Sequence, residues 1–230
     1  MENLTETNAL RTGRFKDAPW FNPGIDVIIG GQGGIGSWLS LFLGRQECNL
    51  ILFDPDIFSE ENLAGQFCNS NVLDKNKAES IKEILIDNGF CNDNLSITIF
   101  EEYNDKSLSG SIVFSCFDNM KARKIMFDKW CNYKNKKLFI DGRLLSENYA
   151  VYAVTPDKIE DYKKELYDDS EIDDAPCTFK STTHCSAMIA ANMTSLFNNY
   201  IANELTKENI RVIPFKTTME LSSMIFDIKF

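Results

Sequence analysis

The sequence predicts an α/β fold: a doubly wound, mostly parallel sheet with helices on both faces and extended strands at the C-terminus. Three observations predict it. Short apolar, β-branched runs alternate with longer segments of helical spacing. The glycine-rich stretch Gly31-Gln32-Gly33-Gly34-Ile35-Gly36 stands between the first such run and the first helical segment. An acid, Asp54, closes the second run. Strands joined through helices in this order make a Rossmann-like sheet covered on both faces.

The elements follow in chain order. Residues 26–30 (DVIIG) read as a buried strand and 37–45 (SWLSLFLGR) as the helix after it. Residues 49–53 (NLILF) are a second strand, closed by Asp54-Pro55-Asp56. Residues 75–88 place apolar side chains at 78, 81, 84 and 85, a helical spacing, and Gly89 suits the position after a helix end. Strands are expected at 95–100, 111–117 and 137–140, with a helix at 121–133. Residues 147–155 form a longer strand. The acidic stretch 156–176 lacks steady periodicity and is expected to be an exposed crossover loop, with a solvated helix over 158–167 as the alternative. Residues 182–205 are a helix rich in small residues, and 211–230 are extended. The whole chain, 1–230, is expected to be one nucleotide-binding domain with an N-terminal arm (1–24) and a C-terminal helix and strands (177–230).

Composition narrows the function classes. The chain has 230 residues, 34 acidic and 24 Lys or Arg, for a formal charge of −10. A surface that negative disfavours nucleic acid and anionic membrane as partners. No apolar run approaches the roughly 18 residues of a membrane span. The first residues lack the apolar stretch of a secretory signal, and a cytoplasmic location is expected. The seven cysteines are odd in number and none has C-x-x-C spacing, so neither a disulfide framework nor a four-Cys zinc site is expected. The single histidine, His184, excludes chemistry built on several His ligands.

The glycine loop has the context its mechanism needs. Glycines allow a tight turn and a close approach of backbone to phosphate, and a helix N-terminus supplies N–H donors. Asp54, 18 residues after Gly36, suits ribose hydroxyls. These two features fit NAD and ATP equally. The residues that follow separate them. Asp56, Asn62, Gln66 and then Lys77 offer amides and a cation that a nicotinamide dinucleotide does not need and a triphosphate does. Asp118-Asn119 ends another strand, with Arg123 one turn into the next helix. Asp118 faces the ligand crevice and suits Mg²⁺, with capping of the following helix as its structural alternative.

Together, the glycine loop, the D-x-D-x-x-x-x-x-N-L-x-x-Q-F stretch, the following Lys and the strand-terminal Asp-Asn with its Arg resemble the ThiF/MoeB/HesA adenylyltransferases, relatives of the ubiquitin-activating enzymes. The resemblance covers about residues 27–143, with an echo at 176–193. It implies binding of ATP and Mg²⁺ and adenylation of the C-terminal diglycine carboxylate of a ubiquitin-like or sulfur-carrier protein. It implies phosphate and ribose contacts from Gly31, Gly33, Gly34, Gly36, Asp54, Asp56, Asn62, Gln66, Lys77 and Asn119, and a metal on Asp118. Catalytic roles would fall to Lys77, Asp118 and an N-terminal arginine of a dimer partner, Arg14 first and Arg11 second. Cys177, in a Pro-x-Cys-Thr setting, would be the cysteine of a thioester step, with an incidental thiol as the alternative; Cys185 and Cys116 read as packing. The chain departs from the family where Gly65 replaces an arginine, with Lys75 or Arg14 as substitutes, and in having no zinc motif.

Two further readings compete. A non-catalytic scaffold subunit would keep the fold and tolerate Gly65. An NAD-dependent oxidoreductase would use the glycine loop and Asp54 but leave Asn62, Gln66, Lys77 and Asp118 without a role.

Overall fold

A computed structural model describes residues 12–91, 96–104, 107–167 and 182–230. Eight strands form one sheet in the order β3-β2-β1-β4-β5-β6-β7-β8. They are β1 (Asp26–Gly30), β2 (Asn49–Phe53), β3 (Ile97–Phe100), β4 (Ile112–Ser115), β5 (Leu138–Leu145), β6 (Asn148–Val154), β7 (Lys216–Glu220) and β8 (Ile225–Lys229). The first five in sequence pair in parallel, and β5 through β8 pair antiparallel. The order reverses direction between β1 and β4. That reversal opens a crevice at the carboxyl ends of the strands, where open α/β sheets bind ligands.

The helices are α1 (Gly34–Arg45), α2 (Lys77–Asp87), α3 (Met120–Asn132), α4 (Ile159–Lys163) and α5 (Thr183–Thr206). Strand side chains alternate between two cores, as a period of two requires. Val27, Ile29, Leu50, Leu52, Ile112, Phe114, Leu138 and Ile140 pack on the side of α1, α2 and α5. Ile28, Phe53, Val113 and Phe139 pack on the other side with Met126, Phe127 and Trp130 of α3 and Tyr162 of α4.

Four local expectations are changed or refined. Helix α1 begins at Gly34, not at 37, because the loop glycines form its first turn with Gly33 as N-cap. Strand β5 runs on to Leu145 and returns as β6 through a tight turn in which Ser146 takes positive φ. The acidic stretch begins not as a loop but close to the alternative reading, a helix over 158–167: a 3-10 turn (Pro156–Lys158) and α4, anchored because Tyr162 is wholly buried. Its remainder, 168–176, lies outside the described residues. The extended C-terminus resolves into the β7–β8 hairpin.

Candidate functional site

The glycine loop is built by close approach. Gly31 has φ of 86°, and a Cβ there would stand 2.8 Å from the Cys116 carbonyl oxygen. A Cβ on Gly36 would lie 1.8 Å from the Gly31 carbonyl oxygen, so only glycine lets the first turn of α1 sit on the loop. Gly31 donates to Phe53 O and Cys116 to Gly30 O, locking the loop between β2 and β4. Gly33 caps α1 with no side chain, and the first turn carries no acid. The opening amides therefore keep donor capacity and a positive dipole end. The Phe117 backbone nitrogen stands 3.2 Å from where a Cβ of Gly31 would be, so the chain leaving β4 passes the loop one residue before Asp118.

Asp54 is 4% exposed. Its carboxylate accepts from the backbone N–H of Gln32 and, at 2.8 Å, of Asp56. Burial pushes its pKa above the ordinary value, while these donors and Lys77 pull the other way. Asp54 thus staples the glycine loop to the turn after β2, and each oxygen retains one further acceptor position. Asn76 caps α2 through Glu79 N–H and donates to Asp54 O and Asp56 O. That cap fixes Lys77, nearly buried, with Nζ 3.1 Å from the exposed Asp56 carboxylate.

Residues Glu60–Ala64 form a 3-10 turn closed by a capping box, in which Asn62 Oδ1 accepts from Ser59 N–H at 3.0 Å. Asn62 is therefore half structural, and its Nδ2 is the donor it has left to offer. Gln66 reaches toward Gly33, with Nε2 4.0 Å from where a Cβ of that glycine would be, and its buried Oε1 has no partner. The segment is pinned by Trp38 Nε1 donating to Gly65 O at 3.3 Å, by Phe67 N–H donating to Ser37 Oγ at 2.9 Å, and by Thr183 donating to Ala64 O. Gly65 has φ of −129°, a conformation open to any residue.

Asp118 is exposed, and Asn119, not Asp118, caps α3 by accepting from Ala122 N–H at 2.8 Å. The capping alternative for Asp118 is therefore corrected: its Oδ1 accepts from the Asn119 amide at 3.2 Å. Arg123 is buried and pairs with Asp141 while donating to Phe117 O and, at 3.0 Å, to Gly142 O. Asp141 also accepts from Arg143 Nε at 2.7 Å and Tyr162 OH at 2.8 Å. Arg143 lies 4.4 Å from the Tyr152 ring centroid, and Tyr152 OH donates to Glu165, which also holds Lys216 at 3.0 Å. Sequence reasoning missed Asp141 and Arg143. The signal available was an acid directly after a short apolar run, here Leu138-Phe139-Ile140, although the strand runs on past it to Leu145.

The other expected residues fall elsewhere. Arg14 is exposed on a turn whose aromatic neighbours, Phe15 and Trp20, line a cavity with Phe42, Arg45 and Gln46 at the C-terminal end of α1. Eleven residue steps of helix, about 17 Å, separate that end from the glycine loop, so the chain does not bring Arg14 to its own crevice. Lys75 pairs with Glu83 at 2.9 Å. Arg11 and Cys177 lie outside the described residues. Cys116 and Cys185 are buried; burial raises both thiols, Cys185 to about 11, as packing residues should be. His184 is exposed at the start of α5.

The glycine cradle and uncapped α1 fit a phosphate chain. A lone exposed carboxylate fits Mg²⁺, which takes one or two protein carboxylates beside phosphate oxygens. Among the described residues there is no group of three or more metal-ligating side chains, and no helix is long and apolar enough to cross a membrane.

No curated protein matches the chain. Among solved structures it is similar to E. coli MccB crystallised with succinimide, at TM-score 0.68 and 19% identity, covering 89% of this chain and 63% of that one. MccB crystallised with ATP gives TM-score 0.68 and 18% identity over 92% and 64% of the two chains. PaaA gives 0.67 and 17% over 88% and 62%. The chain thus spans less than two thirds of the length of these structures. Residues 24–224, a span that includes the glycine loop, the Asp54–Lys77 stretch and Asp118, match the ThiF family, and the chain belongs to that family.

Proposed function

We propose that the chain is an ATP-dependent adenylyltransferase that activates a C-terminal carboxylate. The observation that carries this reading is the α1 N-terminus, acid-free and capped only by Gly33, with the Gln66 amide reaching toward it. Family membership supports it, and E. coli MccB, whose fold this chain shares, has been crystallised with ATP and with MccA.

In this reading Asp54 uses its remaining acceptor positions on the ribose. The amides of Gly33, Gly34 and Gly36, with Gln66, Asn62 and Lys77, hold the phosphates. Asp118, with Asn119 beside it, would hold Mg²⁺, which supplies charge neutralisation when bound. A carboxylate oxygen attacks the α-phosphorus, the bond to the bridging oxygen breaks, and pyrophosphate leaves with the electron pair. The carboxylate is already a nucleophile, so no general base is required. The protein's work is alignment and the stabilisation of developing charge. Lys77 is suited to that role because its capped helix and its Asp56 pair fix its ammonium beside the turn after β2. Asp56 acts by orienting Lys77.

The substrate we propose is the diglycine end of a ubiquitin-like or sulfur-carrier protein in the cytoplasm. The chain would act as a homodimer, with Arg14 serving the neighbouring site and Cys177 able to accept the acyl group. Gly65 favours a second reading, a non-catalytic subunit that binds nucleotide without cleaving it. One experiment separates them: ATP binding by calorimetry and ATP–pyrophosphate exchange with Mg²⁺ and candidate carriers, on the wild type and Asp118→Ala. Binding with exchange that Asp118→Ala abolishes supports the enzyme. Binding without exchange supports the scaffold. A chain that does not bind ATP overturns both.

A further inference from the structure

Arg123 is a buried cation in an unfavourable place. It stands one turn into α3, where the helix dipole opposes positive charge, and it is 5% exposed. Helical side chains lean back toward the N-terminus, and this one folds beneath the start of its own helix. There it pairs with Asp141, donates to Gly142 O at 3.0 Å and donates to Phe117 O. Phe117 directly precedes Asp118, and its carbonyl lies beyond the end of β4. The acceptors on the other side belong to β5, where Asp141 stands in register with Ser115. Asp141 is itself held by Arg143 at 2.7 Å and Tyr162 at 2.8 Å. One guanidinium thus ties the turn that carries Asp118 to the neighbouring strand.

Stability alone does not call for this arrangement. A buried ion pair can often be exchanged for apolar side chains with no loss of stability, and sometimes with a gain. What an apolar side chain cannot do is hold a carbonyl oxygen and a carboxylate at once, as a guanidinium fork does. Upstream of the turn, Cys116 N–H donates to Gly30 O, which fixes the chain against the glycine loop. Downstream, Asn119 caps α3. The Phe117 carbonyl lies between these two fixed points, and Asp118 follows it with an exposed side chain. We infer that Arg123 is a positioning residue: by fixing Phe117 O it sets where the Asp118 carboxylate meets a divalent cation on a bound triphosphate. It acts through Asp118, not on the ligand. The cation in this inference rests on the nucleotide reading; the clamp rests on the hydrogen bonds of Arg123.

Arg123→Lys tests it. Lysine leaves a positive charge for Asp141, but one ammonium lacks the planar fork that serves Asp141, Gly142 O and Phe117 O together. The probe is Mn²⁺, titrated by electron paramagnetic resonance into chain saturated with the non-hydrolysable analogue α,β-methylene-ATP. Mn²⁺ affinity should fall roughly tenfold or more, while the metal-free analogue, followed by calorimetry, binds as it does to wild type. In an Asp118→Ala background the same substitution should cost nothing further, because Arg123 acts through Asp118. Circular dichroism melts verify the fold. Should R123K not fold, Arg123→Met is read in the same way, since Arg143 still answers the Asp141 charge. Undiminished Mn²⁺ affinity, an equal loss in the Asp118→Ala background, or a parallel loss of metal-free binding overturns the proposal. A wild type that binds no nucleotide overturns the nucleotide reading instead, and crystal structures of the ligand-free chains then decide on the clamp. A shift of about 1 Å or more at 117–119 in R123K supports it, and an unmoved turn overturns it.

Discussion

Asp141→Asn is the sharpest test of how the crevice is held. Asp141 is wholly buried and accepts from Arg123, Arg143 and Tyr162. Asparagine keeps the shape but removes the charge, and it turns an amide N–H toward the donor of Arg143. Two largely buried guanidinium groups then lose their counter-charge. Breaking a buried pair in this way costs about 3–5 kcal/mol. For a chain of this size each kcal/mol shifts Tm by roughly 2–4 °C, so the variant should melt about 6–20 °C lower. Urea unfolding at pH 7 gives the free energy directly, and a pH series checks its origin. Burial pushes Asp141 up, but Arg123 and Arg143 outweigh it and hold the carboxyl below the usual range. A depressed folded pKa stabilises above the unfolded value of about 3.9, and that stabilisation is lost as pH falls through the folded value. The gap between wild type and variant should therefore hold at neutral pH and narrow below about pH 4. A cost under about 1 kcal/mol at pH 7, or a gap that does not change in acid, refutes the reasoning.

Three other substitutions probe the crevice itself. Lys77→Met should slow ATP–pyrophosphate exchange about 10²- to 10³-fold, the usual cost of one charge-stabilising donor, while Tm stays near wild type because Asp56 is left in solvent. Gly36→Ala drives a Cβ into the Gly31 carbonyl; calorimetry should find ATP affinity lost, and urea unfolding should find the fold weakened by roughly 1–3 kcal/mol. Gly65→Arg should raise the exchange rate about tenfold or more, since it restores a charge-assisted donor to a backbone that accepts any residue. Steady-state kinetics with ATP as the varied substrate reads that gain.

The strands were legible because the period of two is written into them: Val27 and Ile29 face one core and Ile28 the other, and each later strand repeats the alternation. The glycine loop was legible because its steric demand is local, set by Gly31 and Gly36 within a few residues. The boundary of α1 was not, since glycines read as loop until the backbone shows them helical. Which of two adjacent polar residues caps a helix is decided by φ and ψ, so Asn119 and Asp118 could not be told apart by type. The cluster of Arg123, Asp141, Arg143, Glu165 and Lys216 joins residues up to 93 positions apart, and no spacing rule links them. The antiparallel half was hidden for the same reason: extended sequence shows a strand but not its direction.

A polar residue in a motif becomes a ligand group only if folding leaves it capacity to bind. Asp141 is closed off, wholly buried with three donors on its carboxylate, whereas Asp118 is exposed and its Oδ1 accepts the Asn119 amide. The same test applies to the cations that might answer for the missing arginine at Gly65. Lys75 is drawn to Glu83, and Arg14 stands at the far end of α1. Arg123 is enclosed with Asp141. Of the cations Lys75, Lys77, Arg14 and Arg123, this leaves Lys77, itself shared with Asp56, together with the amides of α1. A triphosphate carries about four negative charges at neutral pH, more than one shared ammonium and a helix dipole of about half a charge offset. If the crevice holds a triphosphate as proposed, a divalent cation on Asp118, a second subunit, or both would add positive charge to what these groups supply. A rate gain in Gly65→Arg at limiting Mg²⁺ that fades at saturating Mg²⁺ would identify the cation as what replaces the arginine.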